Sequence, residues 1–547
     1  MDSSPFASRL DTNYVATDSE SLEIQNLLQI PTSRLEELST QLQELRNEQS
    51  SLRLFISKHR ALISLIRKLP IDILQEIFIA CLPTANNAVM SRLEPPILLT
   101  QICSSWRNVA HATPQLWNSL HIAIPCSENF SSMTVEQHID RRSKAIQEWL
   151  SRSAAYPLDI SLGRCRDSDL DEFYEKIIDS LIRFSERWRN IEFSAPFQAL
   201  VPVANLPPSK VPLLETLSLN CPGGPVNFRQ FDPQTVWITS GVLKAPNLRD
   251  LWLHGLWLTR LNEDVTRLPI NWSQLTNMSL EGISYGACSL SVSRTYKILS
   301  LCRNLITCRL EIGFIPGDSE ELPLETTTAV ISLPFLTRFS IREGASLSGL
   351  FTLLHLPSLS YIEFHTTIWP TPLSSTSLLS LLTRFHNTIQ LIADPPSFTR
   401  QDFIKCLRLC PLLKSLSIRK VYTPPYATPT CRVDDAFLKL FFESSNDEGY
   451  LCPHLEDFEN SSEAAFSETT LLQFVKEKNG DSSTGLAKLK RLYVLFKCRP
   501  HSDINQELEP YEQAGLVATI AFPQRVPFSP FGGLPGDPLA GYFPTYY

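Results

Sequence analysis

"LLETLSL", residues 213–219, reads apolar-x-x-apolar-x-apolar, and the template returns along most of the chain. "NLRDLWL" (247–253), "QLTNMSL" (274–280), "NLITCRL" (304–310), "FLTRFSI" (335–341), "SLSYIEF" (358–364), "LLKSLSI" (412–418) and "KLKRLYV" (488–494) repeat it. "HNTIQLI" (386–392) is a weaker copy, and "HLEDF" starts another at His454. Each copy ends in the alternation of a half-buried strand. Between copies, "SRTYKILSLC", "SLLSLLTRFH", "TRQDFIKCLRLC" and "DDAFLKLFFE" carry helical spacing.

Copies recur at spacings from the upper twenties to the low thirties, near the period of leucine-rich repeats, whose units pair a strand with a helix or 3₁₀ segment. The pattern predicts an α/β solenoid over residues 196–504. A strict repeat sets Asn or Cys three residues past the last strand apolar. Pro222, Leu256, Ile283, Gly313 and Gly344 stand there instead, so the solenoid is expected to be irregular.

Composition agrees. A chain of 547 residues is too long for one ordinary core and calls for several domains or a repeat architecture. Its 19 glycines are few beside 40 prolines, which suits leucine-rich repeats better than a glycine-looped nucleotide fold. With 49 basic and 57 acidic residues the net charge is -8. Beyond the local pair Arg141-Arg142 no basic cluster stands out, which disfavours nucleic acid. The N-terminus "MDSSPFASRLDTNYVATDSE" lacks the basic and apolar regions of a secretion signal. No apolar run approaches the ~18 residues of a membrane span. The 13 cysteines are scattered without a Cys-x-x-Cys pair; the closest groupings, Cys302/Cys308 and Cys406/Cys410, read as buried free thiols in a reducing cytoplasm or nucleus. Phosphate-loop, nucleophile-elbow and zinc-helix motifs are missing, so no enzyme, cofactor or metal is expected. A catalytic triad assembled only by folding is the remaining enzymatic reading.

Upstream of the repeats, residues 1–20 are polar and expected to be disordered. Residues 21–67 read as an amphipathic helix: Leu35, Leu38, Leu42, Leu45, Leu52, Ile56, Ile63 and Ile66 fall at heptad spacing, with Gln49 and His59 completing the seam. Self-association as a coiled coil is one outcome, and packing on the chain's own downstream domain is the other. Residues 67–83, "RKLPIDILQEIFIACLP", place a short helix between two Leu-Pro pairs. Pro70 suits its first turn, and Ile73, Leu74, Ile77 and Phe78 share a face. After the loop "TANNAVMSRLEPP", a second helix is expected through "ILLTQICSSWRNVAHA", with Leu116-Trp117 returning as an anchor. Phe78, Ile102, Trp106, Leu116 and Trp117 are the expected core of a helical unit over 68–122. Residues 123–195 read as linking helices and first strands. The tail 505–547, rich in Pro, Gly and aromatics, is expected to be disordered and outside the fold.

The segments "LPIDILQEIF", "ICSSWRNVAHATPQLW", "HRALISLIRKLP", "WLSRSAAYPLDISL" and "RWRNIEF" carry a resemblance to F-box-like proteins with leucine-rich repeats, a large family in mushroom-forming fungi. It covers roughly residues 20–195, and the repeats by pattern only; the loop between the two F-box helices is longer here than in the compact form. The resemblance implies that the F-box docks on a Skp-type adaptor of a cullin–RING ubiquitin ligase, while the repeats bind a protein substrate for ubiquitin-dependent degradation. The adaptor contacts would be Leu69, Pro70, Ile73, Leu74 and Ile77, whose bland alternative is burial in their own small core. Strand alternation turns Asp250, Trp252, His254, Arg309, Glu311, Arg338, Arg342, Tyr361, Glu363, Ser417, Arg419 and Tyr493 outward. Trp252, Arg309, Arg338, Tyr361 and Arg419 are the substrate-binding candidates, against the alternative of ordinary solvated sheet residues. A leucine-rich-repeat scaffold without any ligase is the second functional reading.

Overall fold

The computed structural model describes residues 4–63, 65–124, 135–163, 171–221, 233–255, 265–282, 290–313, 329–366, 376–394, 398–419, 431–443, 449–462, 464–480, 485–497 and 504–522. Its contacts divide the chain into Met1–Glu76 and Ile77–Tyr547.

The first unit holds α1 (Asp18–Leu62), a 3₁₀ turn at Leu65–Lys68 and the start of α2 (Ile71–Ala80). A capping box fixes the start of α1: Thr17 accepts from the Glu20 amide while the Glu20 carboxylate accepts from the Thr17 amide. Glu20 also pairs with Arg9, whose guanidinium lies 4.4 Å over the Tyr14 ring. Residues 4–20, expected to be disordered, are thus described as a 3₁₀ turn at Ala7–Arg9 and the first turn of α1. The correction follows from local pairing that a composition argument does not register.

The second unit opens with α3 (Ile97–Ile102), α4 (Ser104–His111) and a 3₁₀ turn at Pro114–Trp117. Strands then alternate with helices. β1 (Ser119–Ile122) precedes α5 (Val135–Arg152), β2 (Leu158–Leu162), α6 (Asp171–Ile182) and β3 (Trp188–Ser194). Next come α7 (Phe197–Ala204), β4 (Thr216–Asn220), α8 (Pro233–Ile238), β5 (Asp250–His254), β6 (Asn277–Glu281), α9 (Val292–Leu301) and β7 (Thr307–Gly313). β8 (Ile331–Ser332), β9 (Arg338–Gly344), α10 (Ser348–Thr352), β10 (Leu354–His355), β11 (Tyr361–Thr366), α11 (Thr376–Arg384) and β12 (Gln390–Ala393) follow. The chain closes with α12 (Arg400–Arg408), β13 (Ser415–Ile418), α13 (Asp435–Lys439), β14 (Asp457–Asn460), α14 (Glu468–Asn479), β15 (Arg491–Leu495), α15 (Ile504–Gln513) and β16 (Val517–Ala521).

Among the described residues fourteen strands form one sheet in chain order, and β8 and β10 form a separate pair. Every pairing is parallel, and every copy of the sequence template contributes a strand. The architecture is an α/β solenoid preceded by a long helix. Its logic is visible in the register. Leu217, Leu251, Met278, Cys308, Phe339, Ile362, Leu391, Leu416, Phe458 and Leu492 align across successive strands and are all buried. Burying side chains of this size contributes about 1.5–3 kcal/mol each, so one row supplies much of the sheet's cohesion. On the side of that row, helices stack on their neighbours, α5 on α6, α6 on α7, α11 on α12 and α14 on α15. Phe398, Phe403, Phe437 and Phe441 form a ladder with centroids 5.7, 5.7 and 5.8 Å apart. Cys302, Cys308, Cys406 and Cys410 are buried free thiols.

Two expectations need correction. β1 belongs to the sheet, although its residues were assigned to the helical unit over 68–122. The tail is partly built in: α15 and β16 extend the solenoid to Ala521, because the β-branched "VATIA" pairs with β15 without using the repeat template. The long loop after α2 also has a structural role. Val89 bridges His121 of β1, the His121 amide donates to the Ala88 carbonyl, and Asn87 bonds Ser119 and Ser161, so the loop covers the first edge of the sheet. Of the turn positions lacking Asn or Cys, Gly313 and Gly344 end β7 and β9; Pro222, Leu256 and Ile283 lie outside the described residues.

Candidate functional site

Two surfaces carry the sequence-derived candidates. The first is α2. Its ten residues are strongly apolar, yet three isoleucines face solvent: Ile71 is 64% exposed, Ile73 46% and Ile77 38%. Pro70 is exposed and Leu69 half-buried. Leu74, placed among the adaptor contacts, is only 6% exposed and is withdrawn from that set. It lies four residues before the buried Phe78, on the same face of the helix. Ile71 was missed, although its position directly after Pro70 was the available signal.

The five residues expected in the helical core are placed as follows. Phe78, Leu116 and Trp117 are buried, and Trp106 packs on Phe78 with centroids 4.8 Å apart. Trp117 donates its indole N–H to the Ala110 carbonyl at 2.9 Å and meets Trp149 of α5 edge-on at 4.9 Å. Ile102 is instead 55% exposed. The single helix expected through this region breaks at Cys103, whose backbone is extended (φ -160°, ψ 169°) and whose sulfur accepts from the Trp106 amide to start α4. That break changes the helical phase and turns Ile102 outward.

The second surface is the sheet face opposite the apolar row. Parallel strands lie about 4.8 Å apart, so in-register side chains are close neighbours. Across β6, β7, β9 and β11 the row runs Ser279, Arg309, Ser340, Glu363. The short serines let the long side chains lie flat: Arg309 reaches past Ser340 to Glu363 at 2.8 Å and to Glu281 at 3.4 Å. Glu363 also accepts from the Ser340 hydroxyl at 2.9 Å and from His365 Nε2 at 3.1 Å. The next outward row aligns Glu311, Arg342 and His365 across β7, β9 and β11, with Glu281 at the end of β6 beside it. Arg342 passes Glu311 to meet Glu281 at 3.5 Å, and Glu311 accepts from the Gly282 amide at 2.9 Å.

These charges are held differently. Burial pushes the Glu363 carboxyl up, but the hydrogen bond from His365 and the Arg309 charge outweigh it and hold the group well below the usual carboxylate range. Burial raises Glu311, with Arg342 only partly offsetting it. Burial also lowers His254, whose Nε2 lies 2.8 Å from the Ser279 hydroxyl.

Arg309 is therefore an internal clamp more than a free contact. Arg338 and Tyr361 are register partners, the guanidinium 4.5 Å above the ring. Burial lifts the Tyr361 phenol to about 12, which keeps it a neutral donor. Arg419, just past β13, bonds Ser417 at 3.2 Å and lies 3.5 Å from Glu459. Trp252 stands half-buried between Ser218 and Ser279 in register, two strands from Arg309. Arg309, Arg338 and Tyr361 come together, then, while Trp252 and Arg419 flank them. The residues missed were the carboxylates Glu281 and Glu363 as a network; single outward glutamates look like solvated sheet positions until strand pairing aligns them.

Among the described residues no group of three or more His, Cys, Asp or Glu side chains is arranged to hold a metal ion, and no helix is long and apolar enough to cross a membrane. No family model matches the sequence, and no curated protein matches it. Among solved structures the chain is similar to the crystal structure of the Rad7 and Elc1 complex in yeast, at 14% identity and a TM-score of 0.34, covering 67% of this chain and 92% of that one. A likeness at that level carries no functional argument.

Proposed function

We propose that the chain is a non-catalytic receptor subunit of a Skp–cullin–F-box ubiquitin ligase, acting in the cytoplasm or nucleus. The helical unit around α2 docks on a Skp-type adaptor, and the polar face of the solenoid holds a protein substrate. The observation that carries this reading is the two-sided character of α2: Leu74 and Phe78 are buried while Ile71, Ile73 and Ile77 are exposed. Exposed isoleucines on a short helix gain about 1.5–3 kcal/mol each on burial against a partner, enough for three to offset much of the cost of association. The F-box resemblance of "LPIDILQEIF" supplies the identity of that partner.

Co-purification with a Skp-type adaptor tests the proposal, comparing wild type with Leu69→Ala/Pro70→Ala and with Ile73→Asp/Ile77→Asp. Wild type is expected to retain the adaptor in a one-to-one complex and both variants to lose it while keeping wild-type circular dichroism. A folded wild-type chain that retains no adaptor rejects the ligase reading and favours the repeat scaffold.

A further inference from the structure

From Gln25 to Arg60 every side chain of α1 is exposed, including a seam of leucines that no solvated helix requires. The 3-4 spacing from Leu35 to His59 puts Leu38, Leu45 and Leu52 at successive d positions and makes Gln49 the polar member of the a positions. Pro31 lacks the N–H that an uninterrupted helix uses, so the regular stretch starts after it. Four heptads follow, with Arg46, Arg53 and Arg60 at e and Glu48 at g.

We propose that residues 34–61 pair with the same segment of a second copy of this chain as a parallel, in-register, two-stranded coiled coil. The charge pattern selects the partner and its direction. In a parallel pair each g residue faces the next e residue of the other helix, so Glu48 meets Arg53 twice per dimer. In an antiparallel pair e faces e, and the arginines at 46, 53 and 60 oppose one another. Leucine at d suits two strands, and Gln49 meeting its own counterpart sets the register. His59 Nδ1 is already engaged with the Phe55 carbonyl at 2.8 Å, which leaves Nε2 for the seam. The consequence is a bivalent assembly with two solenoids per dimer, which raises avidity for a repeated or clustered target without any new contact.

Sedimentation equilibrium of the full chain is expected to give twice the 61.8 kDa chain mass at micromolar concentration. Leu38→Asn/Leu45→Asn should return it to the single-chain mass, with the solenoid intact because both side chains are exposed. Glu48→Arg should weaken the dimer by about tenfold, and adding Arg53→Glu should restore it. Gln49→Cys should cross-link under mild oxidation, with the wild-type chain as control. A monomeric wild type at tens of micromolar overturns the proposal, as does a dimer that survives the double asparagine variant. A dimer that Gln49→Cys fails to cross-link overturns the parallel register.

Discussion

Glu363→Gln is the substitution the polar face should tolerate least. The carboxylate takes hydrogen bonds from Arg309 at 2.8 Å, Ser340 at 2.9 Å and His365 at 3.1 Å, and its side chain is nearly inaccessible. The amide keeps the shape and one acceptor but removes the charge, leaving Arg309 with the Glu281 carboxylate at 3.4 Å. A hydrogen bond to a charged group contributes about 1.5–3 kcal/mol, and stripping one member from a buried pair costs about 3–5 kcal/mol. The retained acceptor places the expected loss near 2–3 kcal/mol. Arg309→Met should cost a similar amount, and the double variant less than their sum, with a coupling of about 1–2 kcal/mol.

A repeat protein can open in segments, so the readout should be local. Amide hydrogen exchange on β7, β9 and β11 should accelerate, while β2 and β3 serve as an internal control in the same molecules. The pH dependence has a definite sign. Glu363 is held below the ordinary carboxylate range in the fold, so its contribution is present above that range and is lost as pH falls toward the folded value. The difference between wild type and variant should accordingly shrink with acidification. Additivity within about 0.5 kcal/mol, or unchanged exchange in β7 to β11, would refute the clamp.

Two other buried groups give predictions of opposite pH sense. Burial holds the Glu343 carboxyl up to about 7, so its protonated form is the stable one: stability should fall by about 3 kcal/mol as pH rises from 4.5 through 7, and Glu343→Gln should abolish that slope in urea titrations. Burial lowers Lys478 to about 8 although its Nζ donates to the Pro453 carbonyl at 3.4 Å, so Lys478→Met should stabilise the chain by about 2 kcal/mol at pH 7. That gain should close as pH rises from 8 to 10.5, where the unfolded lysine also loses its proton.

The strands were readable because burial imposes a spacing on the sequence. Leu217 and Leu219, or Leu251 and Leu253, must alternate to reach the helix layer, and the same need writes itself into each copy. β16 escaped because an edge strand with little burial has no such requirement. Side-chain phase was readable only where helices ran unbroken. Phe78 and Trp117 are buried, but the extended backbone at Cys103 moves Ile102 to the outside. Nothing in the apolar spacing marks that break, since Ile102 and Trp106 are compatible with one continuous helix.

The polar face was hidden for a different reason. Alternation tells which residues point away from the core, but not which of them are neighbours; Arg309 and Glu363 are 54 residues apart and meet only because β9 places a serine between them. Their pairing changes what recognition on this face requires. Arg309, Glu281 and Glu363 already satisfy one another, so a partner that engaged them would first have to break buried ion pairs. Arg338 on Tyr361, Trp252 and Arg419 lack that degree of burial. The buried network therefore acts as a rigid floor: Tyr361 rests its hydroxyl 3.5 Å from Glu363 and carries Arg338 on its ring, which orders that pair ahead of the substrate proposed above. Side chains ordered in advance lose less entropy on association, and for this reason substitution of Arg338 should weaken binding while substitution of Arg309 should first loosen the sheet.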